Sequence, residues 1–140
     1  MKRARILLAD DHPLILEGFR NVLEPQHEIV GTVMDGKSLL EEAARLKPEL
    51  IILHITLPKL NGIEAARRLR HTLPSAKLLF VTMHVNPAYL EEALNVGGAG
   101  YVLKSSAREE ILEAVKTVLD GKTYVTPSIA KGLTPLPRPN

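Results

Sequence analysis

Five short apolar runs, each followed by a longer stretch with helical spacing, leave this chain few folds to choose from. The runs cover residues 5–9, 29–34, 50–55, 77–81 and 100–103. They are rich in leucine and β-branched residues, and several are near-continuously apolar rather than alternating. That pattern suits strands buried on both faces. The order βαβαβαβαβα, with short connections and right-handed crossovers, predicts a parallel sheet covered by helices on both sides.

The helical stretches carry their own starts and stops. Asp11-His12-Pro13 places a capping carboxylate just before a proline in the first turn. Ile15, Phe19, Val22 and Leu23 then share one face, and Pro25 ends the helix. Gly36-Lys37-Ser38 leads into residues 39–46, stopped by Pro48. Asn61-Gly62 leads into residues 63–70, stopped before Pro74. Asn86-Pro87 starts a fourth helix that runs to Gly97-Gly98. Ser106-Ala107-Arg108-Glu109 fits a capping box. The apolar stripe Ile111, Leu112, Val115, Val118 and Leu119 follows it, closed by Gly121. With 140 residues, 45% of them hydrophobic, the chain can bury a core without staples. Five strands so connected favour a flavodoxin-like three-layer α/β sandwich. Its strand order is 2-1-3-4-5, with a ligand crevice at the switch point between strands 1 and 3.

Polar residues stand where the apolar runs stop. Asp10 and Asp11 follow the first run, His54 closes the third, Thr82 follows the fourth and Lys104 the fifth. In a parallel sheet these are carboxyl ends on one edge, so the five side chains converge on one crevice. Singly, each has a plainer reading. Asp10 and Asp11 can cap a helix, Thr82 can be a strand residue, Lys104 a solvated charge and His54 a packed histidine. Together they have the parts of a phosphoryl-transfer site. Paired carboxylates suit Mg²⁺, and a lysine and a hydroxyl suit the oxygens of a phosphoryl group.

Other chemistries are excluded. There is no cysteine, hence no disulfide and no thiolate metal site. No apolar run approaches the roughly 18 residues needed to span a bilayer, and the N-terminal apolar stretch is too short for a signal peptide. A soluble, cytoplasmic protein is expected. The net charge of +2 is weak and dispersed, aromatic content is 4% and tryptophan is absent. Nucleic-acid binding by this segment is therefore not expected. Gly97-Gly98-Ala99-Gly100 contains G-x-G but precedes a strand, the wrong context for a dinucleotide site. Glu41-Glu42 and Arg67-Arg68 read as solvated helix faces, and His84 as an exposed loop residue.

The motifs in order become specific. Leu7-Leu8-Ala9-Asp10-Asp11-His12-Pro13, Leu57-Pro58 through Asn61-Gly62-Ile63-Glu64, Val81-Thr82 and Gly98-Ala99-Gly100-Tyr101-Val102-Leu103-Lys104 together resemble a response-regulator receiver domain. The chain is most similar to receivers of the NarL/FixJ (LuxR-type) two-component transcription regulators, over about residues 1–125. The resemblance implies that a sensor histidine kinase is the upstream partner, and that the output is protein–protein interaction rather than enzymatic turnover. It implies Mg²⁺ held by Asp10, Asp11 and the backbone carbonyl of Thr56. Thr82 and Lys104 would serve the phosphoryl group, and Tyr101 would be an aromatic switch whose ring reports the state of the threonine. It also implies homodimerisation through the first and last helices or through the faces of the fourth and fifth.

One position departs from the pattern. His54 stands where the family carries its phosphate-accepting aspartate. Imidazole cannot form an aspartyl phosphate, and it removes an oxygen ligand, which implies weakened Mg²⁺ binding. Three consequences stay open. His54 can be protonated and paired with Asp10 and Asp11 in a phosphorylation-silent receiver, with a raised pKa. It can join them as a ligand of Zn²⁺, Mn²⁺ or Ni²⁺, including in a metal-dependent phosphate-ester hydrolase. Or it can itself be phosphorylated, although the longer ring moves the nucleophile away from Thr82 and Lys104.

The tail changes character. Residues 126–130 can begin a short helix, and Pro135, Pro137 and Pro139 exclude a helix or central strand beyond it. Residues 126–140 read as a linker and the start of a C-terminal helix-turn-helix domain that is itself absent. DNA contact is expected only through that domain.

Overall fold

The computed structural model describes residues 3–83 and 87–127. His84 and the predicted Asn86 cap lie outside the described residues, as does the tail from residue 128. Strands β1 (Arg5–Ala9), β2 (Glu28–Val33), β3 (Leu50–His54), β4 (Lys77–Thr82) and β5 (Gly100–Leu103) alternate with five helices. These are α1 (Pro13–Leu23), α2 (Gly36–Leu46), α3 (Gly62–Thr72), α4 (Pro87–Asn95) and α5 (Ala107–Leu119). All neighbouring strands are parallel, and the sheet order begins β2-β1-β3-β4-β5 as the sequence predicts. A sixth short strand, β6 (Tyr124–Val125), extends the sheet beyond β5. Two residues are too short for any periodic signal, so sequence reading ends the sheet one strand early.

The continuous apolar runs have a direct cause. Leu7, Ala9, Ile51, Leu53, Phe80 and Tyr101 face one core with Leu39 and Ala43 of α2, Ala65, Ala66 and Leu69 of α3, and Leu90 and Ala93 of α4. The alternate residues Ile6, Leu8, Leu50, Ile52, Leu79, Val81 and Val102 face a second core. There they meet Leu16, Phe19 and Leu23 of α1 and Ile111, Ala114, Val115 and Val118 of α5. A central strand with a hydrophobic layer on each side has no polar face to alternate with.

Several helix boundaries follow the local signals. Asp35 caps α2, its carboxylate accepting the Ser38 N–H at 2.7 Å. Asn61 caps α3 by accepting the Glu64 N–H at 3.0 Å. Gly121 takes φ +87° just past α5, and the Lys122 N–H reaches back to the Thr117 carbonyl at 3.1 Å. Two expected caps differ. The N-cap of α1 is His12, with no side-chain cap bond, and Asp10, not Asp11, accepts the His12 N–H at 2.9 Å. Ser106 forms no capping box, because a 3₁₀ turn over Lys104–Ser106 runs straight into α5. It leaves Ser106 at φ −107°, ψ −1° instead of the extended backbone a capping hydroxyl needs.

Candidate functional site

The parallel order delivers one polar side chain after another to the same edge. Asp10 follows β1, its N–H bonded to the Val33 carbonyl at 3.0 Å as a continuation of the ladder. His54 ends β3 opposite Val81, and Thr82 ends β4 opposite Leu103. Lys104 follows β5 in the 3₁₀ turn. Asp10, His54 and Thr82 are all at least 95% buried.

Lys104 reaches across from β5 to β1. Its ammonium lies 3.0 Å from Asp10 Oδ2 and 3.3 Å from Oδ1. Its side chain is only 9% exposed and that of Asp10 2%, so the pair is desolvated and each charge depends on the other. His12 completes the cluster. Its Nδ1 is 3.0 Å from Asp10 Oδ1, 3.1 Å from Asp11 Oδ1 and 3.1 Å from the Lys104 ammonium. One ring nitrogen cannot donate to a carboxylate and accept from an ammonium at once, so these contacts compete.

His54 does not take the predicted ion pair. Its Nδ1 is 4.0 Å from Asp11 Oδ1, outside hydrogen-bond range, and has no hydrogen-bond partner among the described residues. Burial, then the Lys104 ammonium, hold its pKa below the ordinary value, although Asp10 and Asp11 pull it upward. The expected raised pKa is corrected for a simple reason. The strand end is buried, which disfavours the charged ring, and the Lys104 ammonium lies against Asp10, the carboxylate the ring would have paired with. The rings of His54 and His12 meet edge to face, with centroids 6.2 Å apart.

Tyr101 is fully buried on the Thr82 side of the crevice. Burial raises its phenol pKa, against a smaller opposing influence of the Thr82 side chain. Thr56 lies two residues beyond β3, exposed, on the wall of a small cleft with Asn61, Glu64 and Tyr89. A larger groove of about 1120 Å³ opens at the other end of the sheet, lined by Lys47, Glu49, Lys77 and Lys116. None of the convergent strand-end residues reaches it.

The family profile described as the response regulator receiver domain matches residues 6–116. The chain belongs to the response-regulator receiver family. It is 35% identical over 133 residues to the transcriptional regulatory protein DegU of Brevibacillus brevis, covering 94% of this chain and 56% of DegU. It is 36% identical over 133 residues to the transcriptional regulatory protein MctR of Rhizobium johnstonii, covering 94% and 62%. The chain thus spans little more than half the length of these relatives. Among solved structures it resembles a LuxR-family two-component response regulator from Aurantimonas sp. SI85-9A1. The TM-score is 0.88 at 35% identity, over 93% of this chain and 94% of that one. These matches do not favour the phosphate-ester hydrolase alternative.

Against that receiver frame, the donor set is the unusual feature. Asp10, Asp11, His12 and His54 each present one ligand atom, all within 4.8 Å of one another. Two carboxylates and two imidazoles can hold a metal, but they do not fit Mg²⁺, which wants an all-oxygen shell. The sequence names three of the four. His12 stands in the motif with no role assigned. Its one signal is its position directly after two acids at a strand end.

Proposed function

We propose that the chain is the receiver module of a NarL/FixJ-type two-component transcription regulator, silent to phosphorylation at its acceptor position. The carrying observation is an otherwise complete strand-end site, with Asp10, Asp11, Thr82 and Lys104 converging on a buried His54. Imidazole offers no carboxylate for an acyl phosphate. The Asp10–Lys104 pair already neutralises the buried acid that a metal would otherwise balance. On this reading the module is a cytoplasmic binding partner, not an enzyme. Among the described residues no helix is long and apolar enough to cross a membrane, which agrees with that placement.

The names of the relatives support the output. Several are transcriptional regulators, and the solved neighbours include a complex of the response regulator RcsB with DNA. DNA contact and transcription control would then belong to a domain beyond the receiver of residues 1–125, the linker read at 126–140 starting after Thr126, which is buried and bonded to Leu103 and Glu110. A sensor histidine kinase remains the expected upstream partner, and homodimerisation the expected route to output. Tyr101, buried against Thr82, would act as the switch ring, and Thr56 would offer its carbonyl to any metal. Mg²⁺ binding would be weakened by His54.

The test is intact-mass analysis after incubation with acetyl phosphate and Mg²⁺. An unchanged mass is expected. A stable phosphoryl adduct on the chain would overturn the silent reading.

A further inference from the structure

We propose that Asp10, Asp11, His12 and His54 form a binding site for a borderline divalent transition ion of the Zn²⁺ class, with Lys104 as its built-in competitor. The donor set is the first argument. Two imidazole nitrogens and two carboxylates match the preferences of Zn²⁺ in number and softness. Their ligand atoms already lie within 4.8 Å of one another. Tetrahedral Zn²⁺ ligands stand roughly 3.4 Å apart, from metal–ligand bonds of about 2.1 Å. His12 Nδ1 already stands 3.0–3.1 Å from both carboxylates, so the contraction needed is mainly that of Asp11, a partly exposed loop residue, toward His54 across 4.0 Å.

The second argument is independent of composition. His54 is 95% buried, yet among the described residues its Nδ1 has no hydrogen-bond partner, and it faces Asp11 Oδ1 at 4.0 Å, too far for a bond. Buried polar atoms are rarely left so. A metal between them satisfies both. It also resolves the conflict at His12 Nδ1, which faces two carboxylates and an ammonium at 3.0–3.1 Å and can satisfy only one kind. Without metal, the Lys104 ammonium lies against Asp10 and supplies the positive charge the acids need. Metal entry displaces it, and the flexible stem of a lysine allows that. The proposal concerns the ion and its ligands, and it stands whether or not the module accepts phosphate.

Isothermal titration of the 140-residue chain with ZnCl₂ and, separately, MgCl₂ in a non-chelating buffer tests it. One saturable Zn²⁺ site is expected, with Mg²⁺ much weaker. His12→Ala and His54→Ala should each weaken Zn²⁺ by at least about tenfold, the loss known even for perturbing a ligand's support. His71→Ala, on the exposed end of α3, should change nothing. Lys104→Met should tighten Zn²⁺ by removing the competitor. His54→Asp should shift preference toward Mg²⁺. Because the His12 side chain is exposed, His12→Ala remains informative even if His54→Ala fails to fold. Absence of saturable Zn²⁺ binding, or binding that survives His12→Ala unchanged, would overturn the proposal.

Discussion

Lys104 carries a positive charge from the end of β5 to the end of β1 and leaves it on a nearly inaccessible carboxylate. Removing one member of such a pair strands the other, which costs far more than a surface ion pair. Lys104→Met is therefore expected to lower stability by about 3 kcal/mol in metal-free buffer, measured by urea denaturation. His27 gives a second residue-scale prediction, away from the strand-end site. It is buried and its Nδ1 accepts the Ala4 N–H at 3.2 Å. Burial, then the charge of Arg3, hold its pKa below the ordinary 6.5, against a weaker pull from Glu49. The folded state thus binds the proton less readily than the unfolded chain. The contribution is fully present above about pH 6.5 and is lost as pH falls through and below that value. His54 is shifted the same way. The test is therefore the difference between the chain and His27→Asn, which retains an acceptor and should lose less stability between about pH 7 and 5. Equal slopes would contradict it. Among the site residues, Asp10, His54, Thr82 and Lys104 were legible because a strand's last residue has a fixed place in a parallel sheet. The partnership of His12 with both acids was not, since it depends on the shape of a loop.

At the scale of elements, β6 is tied to the edge that bears Tyr101 and Lys104. Thr126 accepts the Leu103 N–H at 2.8 Å and donates to Glu110 Oε1 at 2.9 Å, while the Tyr124 hydroxyl donates to the same oxygen at 2.8 Å. Burial and this acidic partner push the Tyr124 phenol up to about 12. Thr126→Val would leave the Leu103 amide without its acceptor, at a cost of about 1–3 kcal/mol. Hydrogen exchange should then show faster exchange at Leu103. Gly62 fixes the other flank. A Cβ there would collide with the His54 carbonyl, and the Gly62 N–H is bonded to the Ile55 carbonyl at 2.6 Å. Gly62→Ala is expected to displace the end of β3 and cost about 1–3 kcal/mol, read by thermal unfolding. The Asn61 and Gly121 signals marked their helix ends because each acts locally, Asn61 through its side-chain oxygen and Gly121 through its positive φ. The Ser106 signal misled because the 3₁₀ turn over Lys104–Ser106 took the extended conformation away.

For the molecule as a whole, the two-faced burial of β1, β3 and β4 explains why a covered parallel sheet could be read from apolar runs, while the strand order came from the alternation of strands and helices. β6 escaped that reading because its pairing with β5 is a tertiary event, not a local preference. The same sheet gathers the strand-end residues, so a single change at position 54 can leave the rest of the receiver geometry standing. His54→Asp, treated with acetyl phosphate and Mg²⁺ and read by intact mass, tests this most directly. The account predicts that the variant gains one phosphoryl group, lost again in Asp10→Asn, while the parent chain gains none. A His54→Asp chain that folds but stays unlabelled would contradict it, because the remaining residues would then not constitute an intact receiver site.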